Sequence, residues 1–271
     1  MKNTTIITFS FFLLSLLACK KEKEHEEEIP KSIVEENITY NLGGFQMHGF
    51  LAYDKATSTQ TPAVLIIHEW WGLNNYVKNR AKQLADLGYV ALAIDMYGNG
   101  KVVTHPDSAQ ALAEPLYADS MLAKNRFDAA LAKIKTYAIV DPTRIAAMGY
   151  CFGGAMSLNL ARMGEPLKGV ISFHGNLIGV PLKKNLLQAD ILVCHGAADN
   201  YVNAEVAPFR KEMDDAGVPY TFKSYPDAIH SFTNPDATEI GKKYSMEIAY
   251  NAAADAASFE DMKNFLIKIF K

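Results

Sequence analysis

The chain has 271 residues, with 27 Lys+Arg against 30 Asp+Glu, 49% hydrophobic residues and 3 Cys. A formal charge of −3 offers no net pull toward nucleic acid. Three cysteines cannot build a dense disulfide framework, and a chain of this length buries a core without one.

In chain order, Met1-Lys2-Asn3 is a short basic start before an apolar run from Ile6 to Ala18. Such a run is shorter than the roughly 20 apolar residues of a spanning helix and suits a secretory signal. Leu16-Leu17-Ala18-Cys19 resembles the lipobox of bacterial lipoproteins. The resemblance implies removal of residues 1–18, a lipid on Cys19, and an envelope protein held to a membrane on its periplasmic face or at the outer membrane. A plain secretory signal is the alternative. Residues 19–32 read as a charged tether, since Lys20 to Glu28 holds 3 Lys, 5 Glu and His25 and cannot bury apolar surface.

Residues 33–271 alternate strand and helix. A hairpin is expected over Ile33 to Ala56, with Asn41 to Gly44 as its turn. Ala63 to Ile67 is a continuous apolar run of the kind buried on both faces of a parallel sheet. A helix follows over Tyr76 to Leu87, stopped by Gly88, and then a strand over Val90 to Ile94. Asp107 to about Tyr137 reads helical, with a break near Pro115. Arg144 to Met148, Gly169 to Phe173, Ile191 to Cys194 and Tyr220 to Tyr225 are strands. Gly153 to Arg162 and Ala204 to Ala216 are helices between them. Thr238 to Phe270 is helical, with a discontinuity near Asn251 or Asp255. The pattern predicts one α/β domain whose mostly parallel sheet carries helices on both faces and an antiparallel N-terminal hairpin.

Chemistry-bearing residues fall where strands end. Gly149-Tyr150-Cys151-Phe152-Gly153-Gly154 lies between a strand and a helix, the setting of a nucleophile elbow with Cys in place of Ser. The following helix aims its amino end at the thiol and favours the thiolate. A Gly-rich turn with an inert Cys is the plainer alternative. Acyl transfer also needs a base and an acid to orient it. Asp199 follows the strand ending at Cys194, and His230 follows the strand ending at Tyr225, giving the order nucleophile, acid, histidine. Asp227 is a rival acid, but it sits on the His230 loop itself. His174 and His195 also follow strands, and each precedes a Gly, which suggests support of its own loop. His68-Glu69-Trp70-Trp71-Gly72 nearly matches a zinc helix motif but has Gly72 in place of the second His. No metal and no cofactor is expected. Its position suits the loop that supplies an oxyanion amide, so the N–H groups of Trp70 and Phe152 are the candidate donors. The alternative for Trp70 and Trp71 is a plain core or rim role, the more common fate of such residues, and Trp71 is also a substrate-pocket candidate.

These residues together resemble the dienelactone hydrolase, or carboxymethylenebutenolidase, family over about residues 34–270. The resemblance implies an α/β-hydrolase fold, a Cys151–His230–Asp199 triad, and Glu69 in contact with the resting thiol. It also implies arginines that hold a substrate carboxylate. One such position, four residues after His230, is Asn234 here, and it is read as a pocket candidate. Between Asp95 and Arg126 there is no Arg, only Lys101 and Lys124. Losing two charged hydrogen-bonding forks forfeits about 1.5–3 kcal/mol each of anion binding. The expected activity is therefore hydrolysis of small uncharged or weakly polar esters or lactones through a thioacyl-enzyme. A catalytically silent envelope lipoprotein that binds a ligand or partner is the competing reading. Cys151 and Cys194 are both expected as free thiols.

Overall fold

The computed structural model describes residues 32–271 together with Met1. The chain divides into two units, Met1–Pro30 and Lys31–Lys271. The expected signal, the expected lipidation site at Cys19 and nearly all of the expected tether lie outside the described residues.

The second unit is built on an eight-stranded sheet. Its strands are β1 (Ile33–Leu42), β2 (Phe45–Asp54), β3 (Thr61–Ile67), β4 (Val90–Ile94), β5 (Val140–Tyr150), β6 (Gly169–Phe173), β7 (Asp190–Gly196) and β8 (Thr221–Tyr225). They lie in the order β1-β2-β4-β3-β5-β6-β7-β8. β1 and β2 are antiparallel to their neighbours, and the others run parallel. The sheet with helices on both faces is the one the sequence pattern predicts, and the fold is that of an α/β-hydrolase, as the family resemblance implies.

Alternation along the central strands feeds two cores. Ala63, Leu65 and Ile67 face one layer with α3 (Ser120–Ile134), α4 (Phe152–Arg162) and α5 (Asn203–Ala216). Val64 and Ile66 face the other, against α1 (Asn75–Asp86) and α7 (Ala252–Ile269). Both faces being covered explains why these strands are continuously apolar rather than alternating with polar residues.

The expected boundaries shift in two informative places and hold in a third. The β1–β2 connection is a two-residue turn, since Asn41 and Leu42 still pair with Gln46 and Phe45. Gly43 and Gly44 both have positive φ, the conformation that matches the twist of a tight hairpin. The helical stretch after β4 breaks at Asp119 rather than Pro115. Pro115 stays inside α2 (Pro106–Ala118), while the Asp119 carboxylate accepts from the Met121 and Leu122 N–H groups and starts α3. That cap satisfies two donors left orphaned by the new helix, whereas Pro115 forfeits one bond. The C-terminal discontinuity separates α6 (Ala237–Tyr244) from α7, where Asn251 Oδ1 caps the Ala254 N–H.

Candidate active site

The loops at the carboxyl ends of β3, β5, β7 and β8 meet on one rim of the sheet. Cys151 stands between β5 and α4 at φ 52°, a left-handed strain for a residue with a side chain. Close approach makes that turn possible. A Cβ on Gly149 would lie 2.1 Å from Gly153 O, and one on Gly153 would lie 2.2 Å from Ile67 O. The Cys151 N–H is anchored by Phe173 O (2.9 Å) and His174 Nδ1 (3.1 Å).

His230 links the other two residues through the two nitrogens of its ring. Nε2 lies 3.1 Å from Cys151 Sγ, and Nδ1 lies 2.8 Å from Asp199 Oδ2. The carboxylate is fully buried, and its Oδ1 is held by the Tyr201 N–H at 3.0 Å. The His230 loop is pinned by a bridge to Ile248. Burial opposes charging His230, but the Cys151 sulfur and the Asp199 carboxylate outweigh it and hold the imidazole well above its ordinary value. Among the described residues Asp227 makes no hydrogen bond of this kind, and it serves as a turn residue at φ 57°.

His174 and His195 support loops, as their sequence positions suggest. Because His174 Nδ1 accepts from Cys151 N–H, its Nε2 carries the proton and donates to Thr233 Oγ1 at 2.7 Å. Burial holds His174 well below the usual range, so it works as a neutral strut. His195 Nε2 pairs with Asn203 Oδ1 at 2.8 Å. Cys194 is a free thiol like Cys151, but burial pushes it up to about 12 and leaves it inert.

The loop after β3 is held by a histidine whose individual role the sequence does not reveal. His68 Nδ1 donates to the Glu69 carbonyl, and His68 Nε2 accepts from the Met96 N–H at 3.2 Å. Burial lowers His68 to about 4, which keeps this neutral tautomer at any physiological pH. The Gly72 N–H binds the same Glu69 carbonyl at 3.2 Å, and Tyr97 Oη donates to Trp70 O at 2.9 Å. The peptide carrying the Trp70 N–H is therefore fixed in orientation on both sides.

Glu69, expected in contact with the resting thiol, has its hydrogen bond with Asn234. Its Oε2 accepts from Asn234 Nδ2 at 2.6 Å, while its Oε1 is buried without a partner. Burial raises this carboxyl to about 7, against the opposing pull of Asn234. Asn234 thus anchors Glu69 instead of facing substrate. Trp71, buried at 4% exposure, packs edge-on against Trp70. Neither Trp71 nor Asn234 lines the cavity above Cys151, which corrects both as pocket residues. Asn234 borders a separate polar recess beside Arg80. That buried arginine, which no sequence motif singles out, binds Thr233 O and Asp255 and braces the floor of the His loop.

The cavity above Cys151 measures about 470 Å³ and includes Trp70, His230 and Tyr201 in its wall. α2 contributes Gln110, Ala113, Glu114 and Tyr117. Their spacing of i, i+3, i+4 and i+7 is a single helix face, a signal present in the sequence but indistinguishable there from a solvent face. Among the described residues no Arg or Lys lines this cavity.

Known proteins place this architecture. The model of the Dienelactone hydrolase family matches residues 23–270. A crystal structure of a dienelactone hydrolase-like promiscuous phosphotriesterase, P91, from metagenomic libraries is similar. It is 33% identical with a TM-score of 0.81, covering 88% of this chain and 99% of its own. A structure titled m3DLH is 32% identical with a TM-score of 0.82 over the same shares, 88% and 99%. A curated Caenorhabditis elegans protein, K02A2.1, is 36% identical over 152 residues, which is 54% of this chain and 94% of that one.

Proposed function

The chain belongs to the dienelactone hydrolase family and is an ester or lactone hydrolase, and on that premise we propose that Cys151 is its nucleophile, His230 its base and Asp199 the group that orients the base. The observation that carries this reading is the single imidazole bridging sulfur at 3.1 Å and a buried carboxylate at 2.8 Å. Attack begins when the Cys151 proton passes to His230 Nε2 and Sγ adds to the substrate carbonyl carbon. Asp199 stabilises the imidazolium and keeps the Nδ1 proton in place. Charge on the carbonyl oxygen is met by the Trp70 and Phe152 N–H groups, the second at the first residue of α4. Collapse expels an alkoxide or enolate, which takes the proton from Nε2. Water then repeats the sequence: Nε2 removes its proton, the hydroxyl adds to the thioester, and Sγ leaves to be reprotonated.

A thiolate leaves more easily than an amine anion, so the intermediate of an amide tends to fall back unless the amine is protonated as it leaves, and esters or lactones with a stabilised alkoxide or enolate leaving group suit the elbow better. The cavity chemistry agrees with a small substrate. Turnover of p-nitrophenyl acetate by the wild type and by Cys151→Ala tests the assignment. A fall of at least about a thousandfold is expected for loss of a nucleophile that works as part of a unit, and equal rates contradict it.

A further inference from the structure

The cavity above Cys151 is lined by aromatic residues and by a carboxylate. Trp70, Tyr117 and Tyr201 contribute their rings, and Glu114 contributes a carboxylate from α2. Glu114 is exposed and has no hydrogen-bond or ion-pair partner among the described residues. A second carboxylate stands behind the wall, where Glu205 Oε1 accepts from Asn176 Nδ2 at 3.0 Å. Glu205 is satisfied by that amide and by the Leu177 and Ile178 N–H groups, and makes no ion pair among the described residues. Among the described residues the lining holds no Lys or Arg to neutralise either.

Aromatic faces attract cations through their quadrupole, and several rings with a nearby carboxylate form the usual recognition site for alkylammonium groups. An anionic substrate would meet Glu114 unpaired and gain no fork to hold it. The arrangement is the reverse of the carboxylate-binding arginines that the family resemblance implies.

We propose that this enzyme takes esters carrying a quaternary or alkylated ammonium group, with Trp70, Tyr117 and Tyr201 receiving the cation and Glu114 neutralising it. This rests on the hydrolase reading above, since the ammonium is placed relative to a carbonyl at Cys151. Gln110 and Asn176 supply neutral polar contacts on the same wall.

Three acetate esters differing in charge provide the test: acetylcholine, its neutral isostere 3,3-dimethylbutyl acetate, and acetoxyacetate. The expected order of kcat/KM is cation, then neutral, then anion, with the cation favoured over its isostere by about tenfold. Within each variant the cation-to-neutral ratio is then read, which cancels general loss of activity. It is expected to drop about threefold to fivefold in Glu114→Gln, as for a partly exposed ion pair, and to drop also in Tyr117→Leu. A ratio at or below unity in the wild type, or one unmoved by both substitutions, overturns the cation site while leaving ester hydrolysis standing. If none of the three esters turns over, the hydrolase reading fails on its own account. The cation site is then decided by whether tetramethylammonium slows iodoacetamide alkylation of Cys151 and whether Glu114→Gln weakens that protection. Absence of protection overturns it.

Discussion

Glu69 is 2% exposed, with one oxygen on Asn234 and the other unpartnered, so its ionisation is costly in the folded protein. Burial raises the carboxyl from 4.5 to about 7. Between those values the folded state binds more protons than the unfolded chain, and stability therefore falls as pH rises. The favourable contribution is complete below about pH 4.5 and is lost as pH climbs through about 7. Glu69→Gln keeps an acceptor for Asn234 and removes the charge. Thermal melts should show the variant gaining on the wild type between pH 5 and pH 8, by on the order of 3 kcal/mol at the upper end. A difference in Tm that does not change with pH would show that Glu69 is not the group being titrated. The sequence placed Glu69 at the right strand end, but it could not show that residue 234, more than 160 positions later, turns inward to hold it. Contacts of that range depend on how two loops pack, and local pattern carries no record of it.

At the scale of elements, period and punctuation made most of the fold legible. The apolar run Ala63 to Ile67 and the glycines around Cys151 speak directly of a buried strand and a tight elbow, and both stand as read. The stretch after β4 was harder because two helix-breaking signals compete within five residues. Pro115 carries the stronger propensity penalty, yet Asp119 sets the boundary because its carboxylate caps two N–H groups at 3.0 Å each. Asp119→Ala should cost about 1 kcal/mol of stability, the usual value of a lost helix cap. The midpoint of urea unfolding should fall with an unchanged slope. No shift would mean that the α2–α3 corner is held by packing alone. The α2 face that walls the cavity was hidden for a related reason: Gln110, Glu114 and Tyr117 look like an ordinary solvent stripe until the neighbouring loops are in place.

For the molecule as a whole, one sheet brings four loop ends together, and each loop is braced by a buried neutral histidine or a strained turn. His68 fixes the peptide after β3, His174 anchors the Cys151 N–H, and His230 joins Sγ to Asp199. Cys151, Asp199 and His230 meet because parallel strands end on the same rim, which is why three distant residues could be grouped from sequence. The charge of the cavity could not, because it depends on which side chains of α2 lean over the rim. The central claim is that Cys151 carries the acyl group. Rapid quenching of the enzyme with p-nitrophenyl acetate, followed by mass spectrometry of its peptides, measures this directly. The account predicts one acetyl group on the Cys151 peptide, none in Cys151→Ala, and far slower appearance in His230→Ala. Sustained turnover with no adduct on Cys151, or with the acetyl on another residue, would contradict it.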